Sequence, residues 1–151
     1  MKVLRLVTNV DDLHLKSEDV SGLNDSRLHK AAEALISEYK SLAGKALGLS
    51  APQVGMKVNV ILIRKSKPKE PVIYYNTKVL KEIGHKDSNE GCISEGNIRY
   101  IVKRPMLAKV EYFTMDGVHH IEWIGFKKAR VFCHENDHIH GILLQDKGVL
   151  A

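Results

Sequence analysis

Five consecutive residues carry the strongest chemical signal in the chain: His134-Glu135-Asn136-Asp137-His138. On a helix, residues four apart lie roughly 40° apart around the axis and one turn apart along it. Two imidazoles placed this way can share one divalent ion. Glu135 lies about 100° round from His134. It can flank the same ion and take a proton from water that the ion activates. This is the physical content of an H-E-x-x-H segment. The bland alternative is a pair of surface or capping histidines with a glutamate between them.

A catalytic ion needs a third protein ligand and an open position. No Glu follows Glu135, so the downstream carboxylate of thermolysin-like proteases is missing. The longer pattern H-E-x-x-H-x-x-G-x-x-H fits at Gly141 and fails at Leu144. The third ligand must come from upstream, and Cys92 is the best candidate. It follows Gly91 in a polar stretch, a poor setting for a thiol that only packs. A nearby cation favours its thiolate, which binds zinc or ferrous iron strongly. Cys133 is the competitor. It sits directly before His134, points about 100° away from it, and reads as a small core hydrophobe. Two isolated thiols suggest ligand or core roles more than a disulfide framework, with a Cys92–Cys133 bridge as the lesser alternative. His85, His119, His120 and His140 read as surface or supporting residues, and His119 and His120 cannot both face one side of a strand.

These groups need elements to position them. Asn24-Asp25-Ser26 offers capping side chains. Leu28, Ala31, Ala32, Leu35, Ile36, Tyr39 and Leu42 then recur at helical spacing, and Gly44 is a natural stop. The small-residue stretch 46–53 ends in Pro52 and Gln53. Residues 58–63 and 72–80 read as strands. The Gly-, Ser-, Asn- and Asp-rich stretch 84–97 reads as loop. Residues 98–102 are strand-like. Residues 107–114 and 118–124 flank Met115-Asp116-Gly117, a hairpin signal. Phe126, Ala129, Phe132, Cys133, Asn136, Ile139 and His140 follow helical spacing, with Gly141 closing the helix. Residues 1–23 look irregular. The expected fold is α+β: mostly antiparallel strands around a C-terminal metal-binding helix, with an N-terminal helix packed outside. A chain of 151 residues suits a single domain over 1–151.

Composition narrows the function. No apolar run approaches the ~18 residues needed to cross a membrane, and no secretory pattern opens the chain. That points to a cytoplasmic protein. The net charge is +5, but the basic residues are scattered. The one dense run, Arg64 to Lys69, has no interleaved aromatics and reads as a solvated loop. Sequence-specific nucleic-acid binding is therefore not expected. A mild positive field is compatible with an acidic assembly such as a ribosome.

Three segments in order carry a family resemblance: Gly48-Leu49-Ser50-Ala51-Pro52-Gln53, Glu90-Gly91-Cys92-Ile93-Ser94, and His134 to His138. Val102-Lys103-Arg104-Pro105 adds a fourth. Across nearly its whole length the chain resembles the polypeptide deformylases. The resemblance implies metal ligands at Cys92, His134 and His138, and a catalytic acid/base at Glu135. It implies that the Gln53 amide and the Ile93 backbone N–H bind the reacting carbonyl oxygen. Leu47, Gly48 and Gly91 match the edge that holds peptide, and Arg99 matches a basic residue further along it. Glu90 and Arg104 look like an ion pair bracing the Cys92 loop. The implied cofactor is one divalent ion, natively Fe2+, with Zn2+ or Ni2+ as substitutes. The implied substrate is an N-formylmethionyl peptide, including nascent chains on ribosomes, in the cytoplasm of a bacterium or of a host cell if virus-encoded. Ala46, Ser50, Ile93 and Cys133 depart from the family's usual Gly, Ala, Leu and Gln, and no Pro follows Ser94. The competing readings are a small H-E-x-x-H metalloprotease or amidase, and a structural metal-binding module.

Overall fold

The computed structural model describes residues 9–43, 45–65, 70–96 and 98–151, with Glu95 described by its backbone alone. In chain order the elements are α1 (Val10–Leu13), α2 (Ser26–Ser41), β1 (Gly48–Ser50), β2 (Val60–Arg64), β3 (Pro71–Gly91), β4 (Arg99–Thr114), β5 (His119–Gly125), α3 (Phe126–Ile139), α4 (Leu144–Lys147) and β6 (Val149–Leu150). The strands pair antiparallel in the order β1-β2-β3-β4-β5, and β6 also pairs with β4. Tight turns at Ala51–Val54 and Ile93–Glu95 follow β1 and Cys92. The α+β expectation is met.

The two long helices cover opposite faces of β2. Val60 and Leu62 bury against Leu28, Ala31 and Leu35 of α2. Ile61, between them, buries against Ala129, Phe132 and Ile139 of α3. A strand buried on both faces needs an unbroken apolar run rather than an alternating one, and Val60-Ile61-Leu62-Ile63 supplies it. Burial of each such side chain is worth ~1.5–3 kcal/mol, so α3 is held mainly by Phe132, Ile139 and their neighbours. Polar contacts then fix its position. Asn136 Nδ2 donates to Thr77 Oγ1 at 2.9 Å, and Asn59 Oδ1 accepts from the same threonine's Oγ1 and N.

The ends of the helices follow from local chemistry. Asp25 caps α2 by accepting from Arg27 N at 3.0 Å. The stop expected at Gly44 lies outside the described residues, as do residues 1–8 and most of the basic run, 66–69. His140 caps α3, and Gly141 follows at φ 72°. A Cβ at Gly141 would collide with the carbonyl of His14, so this turn needs glycine for space as well as for its left-handed φ. Thr114 N donates to Val118 O at 3.0 Å across the hairpin turn, with Gly117 at φ 82°.

Three expectations are corrected. Residues 84–91 are not loop: β3 continues through them and pairs with β4 from His85 opposite Pro105 to Gly91 opposite Arg99. The apolar alternation that reveals a strand is missing because the inward residues, Ser88 and Glu90, are polar. For the same reason the expected break at 103–106 does not occur. β4 runs unbroken, and its inward residue there is the buried Arg104. Residues 9–23 also contain one helical turn, α1, with Asn9 Oδ1 accepting from Asp11 N and Asp12 N.

Candidate active site

Three segments far apart in the chain meet at one point. α3 presents His134 and His138 from adjacent turns, with ring centroids 5.2 Å apart. Cys92 lies between the end of β3 and the turn at Ile93–Glu95, its thiol free and buried. The ligand atoms of Cys92, His134 and His138 all lie within 4.8 Å of one another, and Cys92 Sγ is 3.4 Å from His138 Nε2. Cys133 points elsewhere. It is packed in the core with Phe132 and Ile139, and burial pushes its thiol up to about 12. A cluster of one soft sulfur and two imidazoles suits zinc or ferrous iron equally well.

Electrostatics suits a cation too. Burial drags His134 down, yet hydrogen bonds with Cys92 and Glu90 outweigh it and hold the imidazole well above its ordinary range. A cation shared by Cys92 and His134 would displace that proton. Burial pushes His138 well below its ordinary range, so it stays neutral, as a metal-binding imidazole must.

A buried ionic brace surrounds these groups. Glu90 Oε1 lies 2.9 Å from His134 Nδ1. Both Glu90 oxygens accept from Arg104, whose Nε and Nη2 reach them at 2.9–3.2 Å. Arg104 Nη1 donates to Asp137 Oδ2 at 2.7 Å. Burial opposes the Glu90 carboxylate, but its bonds to His134 and Arg104 prevail and hold it at about 2. β3, β4 and α3 are thereby tied together at the ring of His134, whose Nδ1 is engaged and whose Nε2 is left for the cluster.

Gln53 approaches from the other side. Its Oε1 accepts from Ser50 N at 2.9 Å and from Ser50 Oγ at 3.1 Å. That fixes the amide the other way round: Nε2 donates to Ser94 Oγ at 3.0 Å and lies 3.4 Å from Cys92 Sγ. Glu135 is 4% exposed, and its Oε1 has no hydrogen-bond partner among the described residues. Burial raises its carboxyl to about 7. A Cβ at Gly48 would lie 2.7 Å from Glu135 Oε2 and 3.1 Å from Leu62 O, so only glycine fits there.

A cavity of about 220 Å³ opens onto this cluster. Leu47, Gly48, Gln53, Glu90, Gly91, Cys92, Ile93, Arg99, His134 and Glu135 all line it. Of the site residues named from sequence, His138 lies behind the wall and Arg104 supports Glu90 from beneath. Sequence reasoning passed over Ser94 as a partner for Gln53, and Asp137 as the second anchor of Arg104. It also missed Arg130 and Val131 in the cavity wall. Their spacing, one helical turn before His134 and Glu135, was the available signal.

Residues 3–149 match the family model described as polypeptide deformylase. The chain belongs to the polypeptide deformylase family. A peptide deformylase of Alkaliphilus metalliredigens is 36% identical over 147 residues, covering 95% of this chain and 96% of that one. The peptide deformylase of Thermotoga maritima superimposes with a TM-score of 0.85 at 28% identity, covering 97% and 98% of the two chains. A class I type b peptide deformylase from Acinetobacter baumannii, solved with Met-Ala-Ser bound, gives a TM-score of 0.83 at 28% identity and the same coverage. Deformylases are metallohydrolases, and that class accounts for this chain better than a protease or a structural metal module does. No helix among the described residues is long and apolar enough to cross a membrane.

Proposed function

We propose that this deformylase-family chain hydrolyses the formyl group from N-formylmethionyl termini of newly made polypeptides, releasing formate and a free amine. The observation that carries the reading is the convergence on one cavity of Cys92, His134, a buried Glu135 and the oriented amide of Gln53. When bound by Cys92, His134 and His138, a divalent ion supplies Lewis acidity and lowers the pKa of water. We assign ferrous iron as the native ion, with zinc or nickel as substitutes.

The residues divide the work as follows. Glu135 takes a proton from the attacking water and delivers it to the departing amine as the carbon–nitrogen bond breaks. A carboxyl raised by burial is suited to that exchange near neutral pH. Negative charge grows on the formyl oxygen, where the Gln53 Nε2–H and the Ile93 backbone N–H meet it. Ser50 and Ser94 hold the Gln53 amide in the donating orientation. Leu47, Gly48 and Gly91 present backbone along which an extended peptide can pair, and Arg99 meets it further out. Glu90 and Arg104 hold the Cys92 segment against α3.

The substrate in the cell is the emerging N-terminus of a ribosome-bound nascent chain, which places the reaction in the cytoplasm. Neither a membrane nor sequence-specific nucleic acid takes part. The test is formate release from formyl-Met-Ala-Ser under anaerobic conditions, with and without added ferrous iron. Iron-dependent formate is the expected result. Cleavage of internal bonds in unformylated peptides, with no formate from the formylated one, would replace this reading with a protease.

A further inference from the structure

The mouth of the cavity carries charge that hydrolysis of a formyl group does not require. Three cations line it from three separate elements. Lys45 stands just before β1, Arg99 opens β4, and Arg130 lies on α3 one turn ahead of His134. Among the described residues none of the three is ion-paired. The acidic groups facing the same space do not neutralise them. Glu90 is engaged by Arg104 and His134, and Glu135 lies deep against Gly48.

Arg99 is also fixed in place. Its Nε donates to Asn89 Oδ1 at 2.7 Å and its Nη2 to Asn89 O at 3.0 Å. That leaves Nη1 over Gly91, where a Cβ would lie only 3.0 Å from it. A guanidinium held over a stretch of strand-edge backbone presents a free donor to whatever passes there. Arg130 is half-buried in the cavity wall. The planar fork of its guanidinium matches a carboxylate. The three cations therefore make the path leading away from the metal ligands positive.

We propose that Lys45, Arg99 and Arg130 make this enzyme selective for formylated chains with Asp or Glu at the first or second position after the methionine. The inference rests on the deformylase reading and specifies its substrate class. The recognised chemistry is a carboxylate, which in a short peptide can come from a side chain or from the C-terminus. C-terminally amidated peptides remove the second source.

The experiment compares kcat/KM for formyl-Met-Xaa-Ser amide and formyl-Met-Ala-Xaa amide, with Xaa as Ala, Glu or Lys, on the iron-loaded enzyme. Exposed or half-exposed charge contacts are individually weak, so three together give a Glu-over-Lys preference of about 10-fold. It is carried by KM and shrinks as salt shortens the reach of the field. Arg130→Glu should invert the order. Lys45→Glu, at an exposed position that does not threaten folding, should cut the preference to about a third. If formyl-Met-Ala-Ser amide is hydrolysed while Glu and Lys peptides stay within about twofold, the selectivity is overturned and the deformylase reading stands. If no formylated peptide is hydrolysed, the deformylase reading falls and takes the selectivity with it.

Discussion

Glu135, Cys92 and Cys133 separate the roles that a single motif would merge. Glu135 faces the cavity but does not belong to the sulfur–imidazole cluster. Glu135→Ala should therefore retain a full complement of metal, measured by elemental analysis, while formate release falls by ~10²–10⁴-fold. Undiminished turnover would remove Glu135 from the chemistry. Cys92→Ala should lose the metal. Cys133→Ala should keep both metal and turnover and lower the melting temperature slightly, because that thiol only fills core space. At this scale the sequence was informative wherever a residue's chemistry was unusual. A thiol behind a glycine in polar surroundings and two histidines at helical spacing announce themselves. Ser94 did not, because a serine's value as an acceptor for Gln53 exists only once residues forty-one apart are brought together. The serine at position 50, a departure from the family's usual alanine, now has a physical account: its hydroxyl adds a second bond to an amide oxygen already held by its own backbone N–H.

Among the elements, β1 and α3 approach so closely that side-chain size at one point sets the position of the Glu135 carboxylate. Gly48→Ala would press a methyl against the Glu135 carboxylate, so turnover should fall by more than about tenfold with metal content unchanged. Urea melts should show the loss of stability to be modest. The brace between β3, β4 and α3 behaves in the opposite way. Arg104→Met strands the buried Glu90 and should cost ~3–5 kcal/mol of stability. Both long helices, the hairpin, β2 and the near half of β3 were legible from their apolar pattern, whereas β1, only three residues long, was not. The far half of β3 and the middle of β4 were hidden. Their inward positions are occupied by the polar Ser88, Glu90 and Arg104, and the last two brace the ring of His134 rather than fill an apolar core. Where a strand carries the support of a site, its pattern looks like a loop.

For the whole molecule, the pH response follows from Glu90. Its carboxyl is held at about 2, below the usual 4.5, so its contribution to stability is complete above pH 4.5 and is lost as pH falls towards 2. Denaturant melts should show a decline across that window amounting to a few kcal/mol. Glu90→Gln should flatten the decline while lowering stability at neutral pH. The two cysteines are both free, so no covalent bond crosses the fold. The position of Cys92, at the end of a strand and remote in sequence from α3, supplies another kind of crossing. An ion shared by Cys92 and His134 would close a loop of roughly 40 residues containing all of β4 and β5, and loop closure on that scale removes ~4 kcal/mol of freedom from the unfolded chain. The catalytic ion would then also be a staple, reversible and available without an oxidising compartment. A chelator should lower the melting temperature of the native protein by several degrees and leave that of Cys92→Ala unmoved. Metal starvation would in that case thin the population of folded enzyme as well as silence it.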